Sequence, residues 1–109
     1  MKMFNHQIPA AVLTGLILGA LPAYGEEGQA AFEKKCAMCH GKDGSGETAS
    51  GKALKARDLR IAEVQKQNDA ALAAWIAAGS KGKMPPFKDS LTAKEITTVV
   101  AYIRTLKKH

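Results

Sequence analysis

Apolar positions divide the chain into segments of different character. From Ile8 to Leu21 they run for 14 residues with no charge among them. That is the length of a secretory hydrophobic region and short of the about 20 residues that cross a bilayer. Lys2 lies ahead of this run and the small residues of Ala23-Tyr24-Gly25 follow it. Residues 1–25 are therefore expected to be a cleaved secretory signal peptide, with 26–109 forming one folded domain. Gly28, Phe32, Cys36 and Cys39 then recur at spacings of four, four and three, so a first helix is expected to end at the cysteines. The following Gly41-Lys42-Asp43-Gly44-Ser45-Gly46, with Gly51 beyond it, reads as loop.

Leu59, Ile61 and Val64 give weak helical patterning over 58–67. Asn68 as cap, Asp69 in the first turn, Leu72, Trp75 and Ile76 on one face and Gly79 as terminator predict a clearer helix. Residues 80–89 hold two prolines and a glycine and should be an ordered loop. Thr92 with Glu95 has the spacing of a capping box, and Ile96, Val99, Val100, Ile103 and Leu106 form the apolar stripe of a last helix. Lys107 and Lys108 suit the negative end of its dipole. No segment alternates with period two, so the fold is expected to be all-α, with three to four short helices joined by long loops. Loops that long in so short a domain are the first sign that the chain wraps around a cofactor.

Composition narrows the function classes. With 109 residues, 46% hydrophobic and 24% charged, the chain is neither disordered nor a multi-span membrane protein. Two cysteines do not make a disulfide scaffold. The net charge of +6 is spread as lysines between small residues, with none of the usual nucleic-acid-binding motifs, so no nucleic-acid partner is expected.

The decisive string is Cys36-Ala37-Met38-Cys39-His40. C-x-x-C-H is the spacing of c-type haem attachment: two thiols three positions apart each add to one vinyl group, and the next residue carries an imidazole to the iron. A thioredoxin-like pair needs a βαβ core that the helical pattern does not provide. A zinc site lacks a fourth ligand at suitable spacing, and a plain disulfide leaves His40 and the long loops unexplained. On the opposite face a second axial ligand is expected. After the leader the chain has two methionines, Met38 and Met84. Met38 lies between the tethering cysteines and cannot reach the far face. Met84, stiffened by Pro85 and Pro86, lies far enough from His40 to pass round the ring edge. The cofactor-binding residues are thus Cys36 and Cys39 as thioethers, and His40 and Met84 as axial iron ligands.

The combination of Cys-Ala-Met-Cys-His-Gly at 36–41, Gly-Lys-Met-Pro-Pro-Phe at 82–87 and Val-Ala-Tyr-Ile-Arg at 100–104 resembles the small class I bacterial cytochromes c, the single-haem group that includes cytochromes c6 and the c551/c552-type carriers. The resemblance covers nearly all of 26–108. It implies the cytochrome c fold around one haem, with the first and last helices crossing at Gly28, Phe32 and Tyr102. In the family a proline after the haem histidine often supplies the carbonyl that accepts the imidazole N–H. This chain has no proline between Pro22 and Pro85, and a backbone carbonyl within 50–54 is expected to take that role.

With both axial positions filled, the expected function is one-electron transfer in the periplasm, not enzyme catalysis. The alternatives are a labile Met84 serving gas sensing or weak peroxidase chemistry, and a fixed electron-transfer subunit of a larger complex. Leu54, Leu59, Trp75, Ile76, Phe87, Val99 and Ile103 are the expected pocket lining, and Lys52, Lys55 and Arg57 the candidate propionate partners. Lys34, Lys35, Lys81, Lys83 and Lys88 are expected to face a redox protein with an acidic docking patch. The protein is expected to be a monomer with no stable membrane insertion after cleavage.

Overall fold

The computed structural model describes residues 24–108. Nearly all of the expected leader, and His109, lie outside the described residues. Within them the chain is all-α, with six helical segments: α1 (Tyr24–Lys35), α2 (Ala37–His40), α3 (Ala49–Leu54), α4 (Ala62–Gln65), α5 (Asp69–Ala78) and α6 (Ala93–Thr105). The only extended pairing among these residues is a single isolated bridge between Ser80 and Met84. The count exceeds the three to four expected because the first helix is divided at Cys36 into α1 and α2, and α3 lies where the glycines predicted loop.

The helix ends follow their sequence signals. Asn68 caps α5 by accepting from Ala71 N–H at 2.8 Å, and Gly79, at φ +69°, terminates it. At α6 the box is reciprocal: Thr92 Oγ1 accepts from Glu95 N–H at 3.1 Å, and Glu95 Oε1 accepts from Thr92 N–H at 2.8 Å. The weak pattern at 58–67 condenses to the one-turn α4. Asp58 folds back on the backbone and side chain of Arg60, holding 58–60 outside any helix.

α1 crosses α6, and α5 packs on α6 from another side. At the first crossing Gly28 meets the backbone of Thr98 so closely that a Cβ there would collide with the Thr98 carbonyl. One turn on, Phe32, fully buried, stacks obliquely on Tyr102 with ring centroids 5.3 Å apart. The crossing expected at Gly28, Phe32 and Tyr102 is the one observed. Ile96, Val99, Val100 and Ile103 are the buried stripe of α6. No described helix is long and apolar enough to cross a membrane.

The Gly28 contact sets a test. Gly28→Ala must push α1 off α6, and overpacking of this kind costs about 1–3 kcal/mol. Guanidinium unfolding of the haem-loaded protein should show that loss with an unchanged slope, whereas unchanged stability would mean the helices do not approach as described.

Candidate functional site

Cys36 interrupts the first helix without ending it. Its N–H still bonds to Phe32 O at 2.8 Å, and its own carbonyl accepts from His40 N–H at 2.9 Å. α1 and α2 are therefore one helical path with a kink at Cys36, and Cys36 and His40 lie one turn apart on it. Cys36 is buried and Cys39 half-buried, both as free thiols. Met38 between them is 77% exposed.

His40 turns its ring into a cleft of about 760 Å³, open mouth included, that also receives Cys36 and Met84. Its Nδ1 lies 3.0 Å from the carbonyl oxygen of Arg57. A carbonyl only accepts, so Nδ1 carries the proton and Nε2 holds the lone pair. Nε2 has no hydrogen-bond partner among the described residues. Burial lowers the His40 pKa below its ordinary 6.5, against the opposing pull of the Arg57 carbonyl, which keeps the ring neutral near pH 7. The acceptor expected within 50–54 is thus three residues beyond that stretch. Residues 50–54 are spent instead on α3, which docks against the end of α2. Thr48 Oγ1 is within donating distance of the Met38 and Cys39 carbonyls, at 2.8 and 3.0 Å, and it accepts from Gly51 N–H at 2.8 Å. A Cβ at Gly51 would collide with the Cys39 carbonyl, so glycine is here for close approach and not for flexibility.

Met84 arrives from the loop after α5. Ser80 N–H donates to Met84 O at 2.8 Å and Met84 N–H to Ser80 O at 3.1 Å, with Gly82 at φ +79° in the turn between them. The Pro85-Pro86 backbone lies against Gly79, where no Cβ fits. Phe87 N–H then returns to Ile76 O at 3.1 Å and ties the loop to α5. The half-buried Met84 is therefore fixed by backbone on both sides.

Apart from these groups the cleft is walled by Phe32, Leu59, Val64, Leu72, Trp75, Ile76, Val99 and Ile103, with Arg57 and Gln67 as further polar members. Of the lining expected from sequence, Leu59, Trp75, Ile76, Val99 and Ile103 are there. Leu54 is 39% exposed and outside the cleft, and Phe87 is buried in the core without lining it. Phe32, Val64 and Leu72 were the missed wall members, though their helical periodicity already marked them as core. Cys39 does not line the cleft, whereas Cys36, His40 and Met84 do. Of the three propionate candidates only Arg57 reaches it. An apolar cavity with a neutral imidazole whose lone pair is unpaired, a thioether and a thiol at its edge fits an iron porphyrin tethered through sulfur.

Burial, with Cys39 adding and Lys35 opposing, raises the Cys36 pKa to about 11. In the haem-free folded chain, alkylation of Cys36 should therefore show its pH midpoint near 11. A midpoint in the ordinary thiol range would mean that Cys36 is not held in the apolar wall. His40 works on stability in the opposite pH direction. A folded-state pKa below the unfolded one means the unfolded chain binds the extra proton. The stability that neutral His40 contributes to the haem-free fold is thus full above about 6.5 and is lost as pH falls through the lowered value.

Residues 8–103 match the family described as cytochrome C oxidase, cbb3-type, subunit III. Among solved structures, the KustC0563 c-type cytochrome is 36% identical, with a TM-score of 0.70 over 74% of this chain and 98% of that one. A second structure, that of a Kustc0563 mutant, is also 36% identical, with a TM-score of 0.67 over 74% of this chain and 99% of that one.

Proposed function

We propose a specific role for a chain that belongs to the family described as cytochrome C oxidase, cbb3-type, subunit III, and is a small class I c-type cytochrome: that of a periplasmic one-electron carrier with a single covalent haem c ligated by His40 and Met84. Haem-based electron transfer follows from the family, whose members are in general carriers and not enzymes. The observation that supports the finer reading is the meeting of His40 and Met84, 44 residues apart, in one apolar cleft beside Cys36. A haem held there would supply a one-electron Fe(III)/Fe(II) couple, with His40 and Met84 as the residues that would hold its iron.

The chain's own residues set the terms of that couple. Cys36 and Cys39 provide the thioether tethers. Neutral His40 offers Nε2, and the soft Met84 thioether favours the reduced iron and a relatively high potential. The apolar walls from α1, α5 and α6 penalise the extra charge of the oxidised state and add to that preference. Arg57, which lines the cleft and makes no ion pair among the described residues, would be the residue to meet a propionate. The backbone clamps on both ligands keep the geometry alike in the two oxidation states, which lowers the reorganisation that transfer requires.

Lys34 and Lys35 beside Cys36, with Lys81, Lys83 and Lys88 in and after the Met84 loop, are all exposed. They give the edge of the site a positive face suited to an acidic redox partner. The family description, which names an oxidase subunit, favours one second reading, a fixed electron-transfer subunit of a larger complex.

Carbon monoxide tests the ligand set. The reduced wild-type protein should not bind it, while Met84→Ala should bind it readily and show a lower midpoint potential. Ready binding by the wild type would replace the carrier with the labile-ligand reading. Charge steering is tested separately: oxidation by anionic ferricyanide should slow as salt rises, and Lys81→Gln, Lys83→Gln and Lys88→Gln together should flatten that dependence. An unaltered salt slope would remove these lysines from the docking face.

A further inference from the structure

His40 is oriented by a backbone carbonyl, and a carbonyl is only as fixed as the loop that presents it. The residues around Arg57 lie in a loop that carries no proline. Lys55 adopts φ +57° and ψ +48°, the only left-handed non-glycine conformation among the described residues, and turns the chain out of α3. Ala56 N–H donates back to Gly51 O at 2.8 Å, and Leu59 N–H donates to Gly44 O at 2.7 Å. Gly46 fits so tightly that a Cβ would lie 2.7 Å from Ala56 O. Residues 56–60 are thus laid along residues 44–46, the segment that directly follows the ligand histidine.

Side chains lock this pairing from outside. Arg60 Nε and Nη2 donate to the two oxygens of Asp58 at 2.9 and 3.0 Å, while Arg60 N–H also donates to Asp58 Oδ1 at 2.9 Å. On its other side Arg60 Nη1 lies 3.9 Å from Asp43 Oδ2. Asp43 Oδ1 in turn accepts from Ser45 N–H at 3.0 Å. The carbonyl of Arg60 accepts from Lys108 N–H at 3.0 Å, which joins the lock to the chain beyond α6. The Arg60 side chain is about three-quarters buried while doing this. The two-pronged geometry makes the Asp58 contact the firmer of the two, while Asp43, 65% exposed, adds a solvated pair.

We propose that Arg60, through Asp58 and Asp43, is the positioning residue that holds the Arg57 carbonyl on His40 Nδ1–H and so tunes the iron potential. The proposal rests on the reading of His40 as an axial ligand. A firm N–H···O bond makes the imidazole a stronger donor and favours the oxidised iron. Loosening the lock weakens that bond and shifts the balance toward the reduced iron, so the potential rises.

The test compares haem-loaded Arg60→Ala, Arg60→Lys and Thr92→Ala. Thr92 caps α6 away from this loop, and its loss lowers stability by about 1 kcal/mol without touching the His40 bond. In Arg60→Ala the reduced-to-oxidised ratio at a fixed ambient potential should rise by up to about tenfold, less than the roughly 10- to 100-fold effect of removing a direct partner of a metal-bound histidine, because Arg60 acts through the loop. The His40 Nδ1 proton in the reduced protein should exchange with solvent faster than in the wild type and in Thr92→Ala. Arg60→Lys, which keeps the charge but not the fork, should fall between the wild type and Arg60→Ala in both readouts. If Arg60→Ala loses stability but keeps the potential and exchange rate of Thr92→Ala, the proposal is overturned and the carrier reading stands. If the wild type shows no histidine-ligated haem, the reading beneath it fails, and that spectrum is recorded before any variant is made.

Discussion

One hydrogen bond constrains more of this molecule than any other, the 3.0 Å contact between His40 Nδ1 and the Arg57 carbonyl. Because the acceptor is a carbonyl, the contact fixes which nitrogen keeps the proton and which offers a lone pair to the cleft. It also requires a stretch of 17 residues to leave His40 and return to it. The turn at 41–46, helix α3, left-handed Lys55 and the Asp58–Arg60 fork are all parts of that return. The glycines at 46 and 51 are where the outgoing and returning chain come too close for a side chain.

The second constraint is the small size of the core. Of the eleven buried apolar residues among those described, seven also line the cleft: Phe32, Cys36, Val64, Leu72, Ile76, Val99 and Ile103. Core and binding site are therefore largely one set of side chains. A group bound in that cleft completes the packing of α1, α5 and α6, and its binding free energy becomes folding free energy. This coupling explains how a domain with so few buried residues can keep two loops as long as 41–48 and 79–92 in place.

Elements with local signals were legible in the sequence. The Asn68 cap, the Thr92–Glu95 box, the α6 stripe and the C-x-x-C-H spacing each carry their cause within a few residues. Gly28 was legible through resemblance, because a close helix crossing leaves a glycine where the rest of the helix face is apolar. The features that were not legible depend on tertiary contact. α3 was hidden because Gly51, present to let the Cys39 carbonyl approach, counts locally against a helix. The Arg57 carbonyl leaves no mark, since any residue has a carbonyl, and the left-handed turn falls on Lys55, a residue type with no preference for it. Phe87 was misplaced for a different reason. It was expected in the lining, but its N–H pairs with the Ile76 carbonyl and it is buried in the core outside the cleft.

The central claim is that one covalent haem sits between His40 and Met84. Its most direct test is the absorption spectrum, oxidised and dithionite-reduced, of the protein exported from cells with a haem-maturation system, with the haem checked for retention after denaturation. The account predicts retained haem, sharp low-spin reduced bands and the weak far-red sulfur-to-iron band in the oxidised form. Retained haem without the far-red band would contradict Met84 ligation, and a chain without haem would contradict the account as a whole.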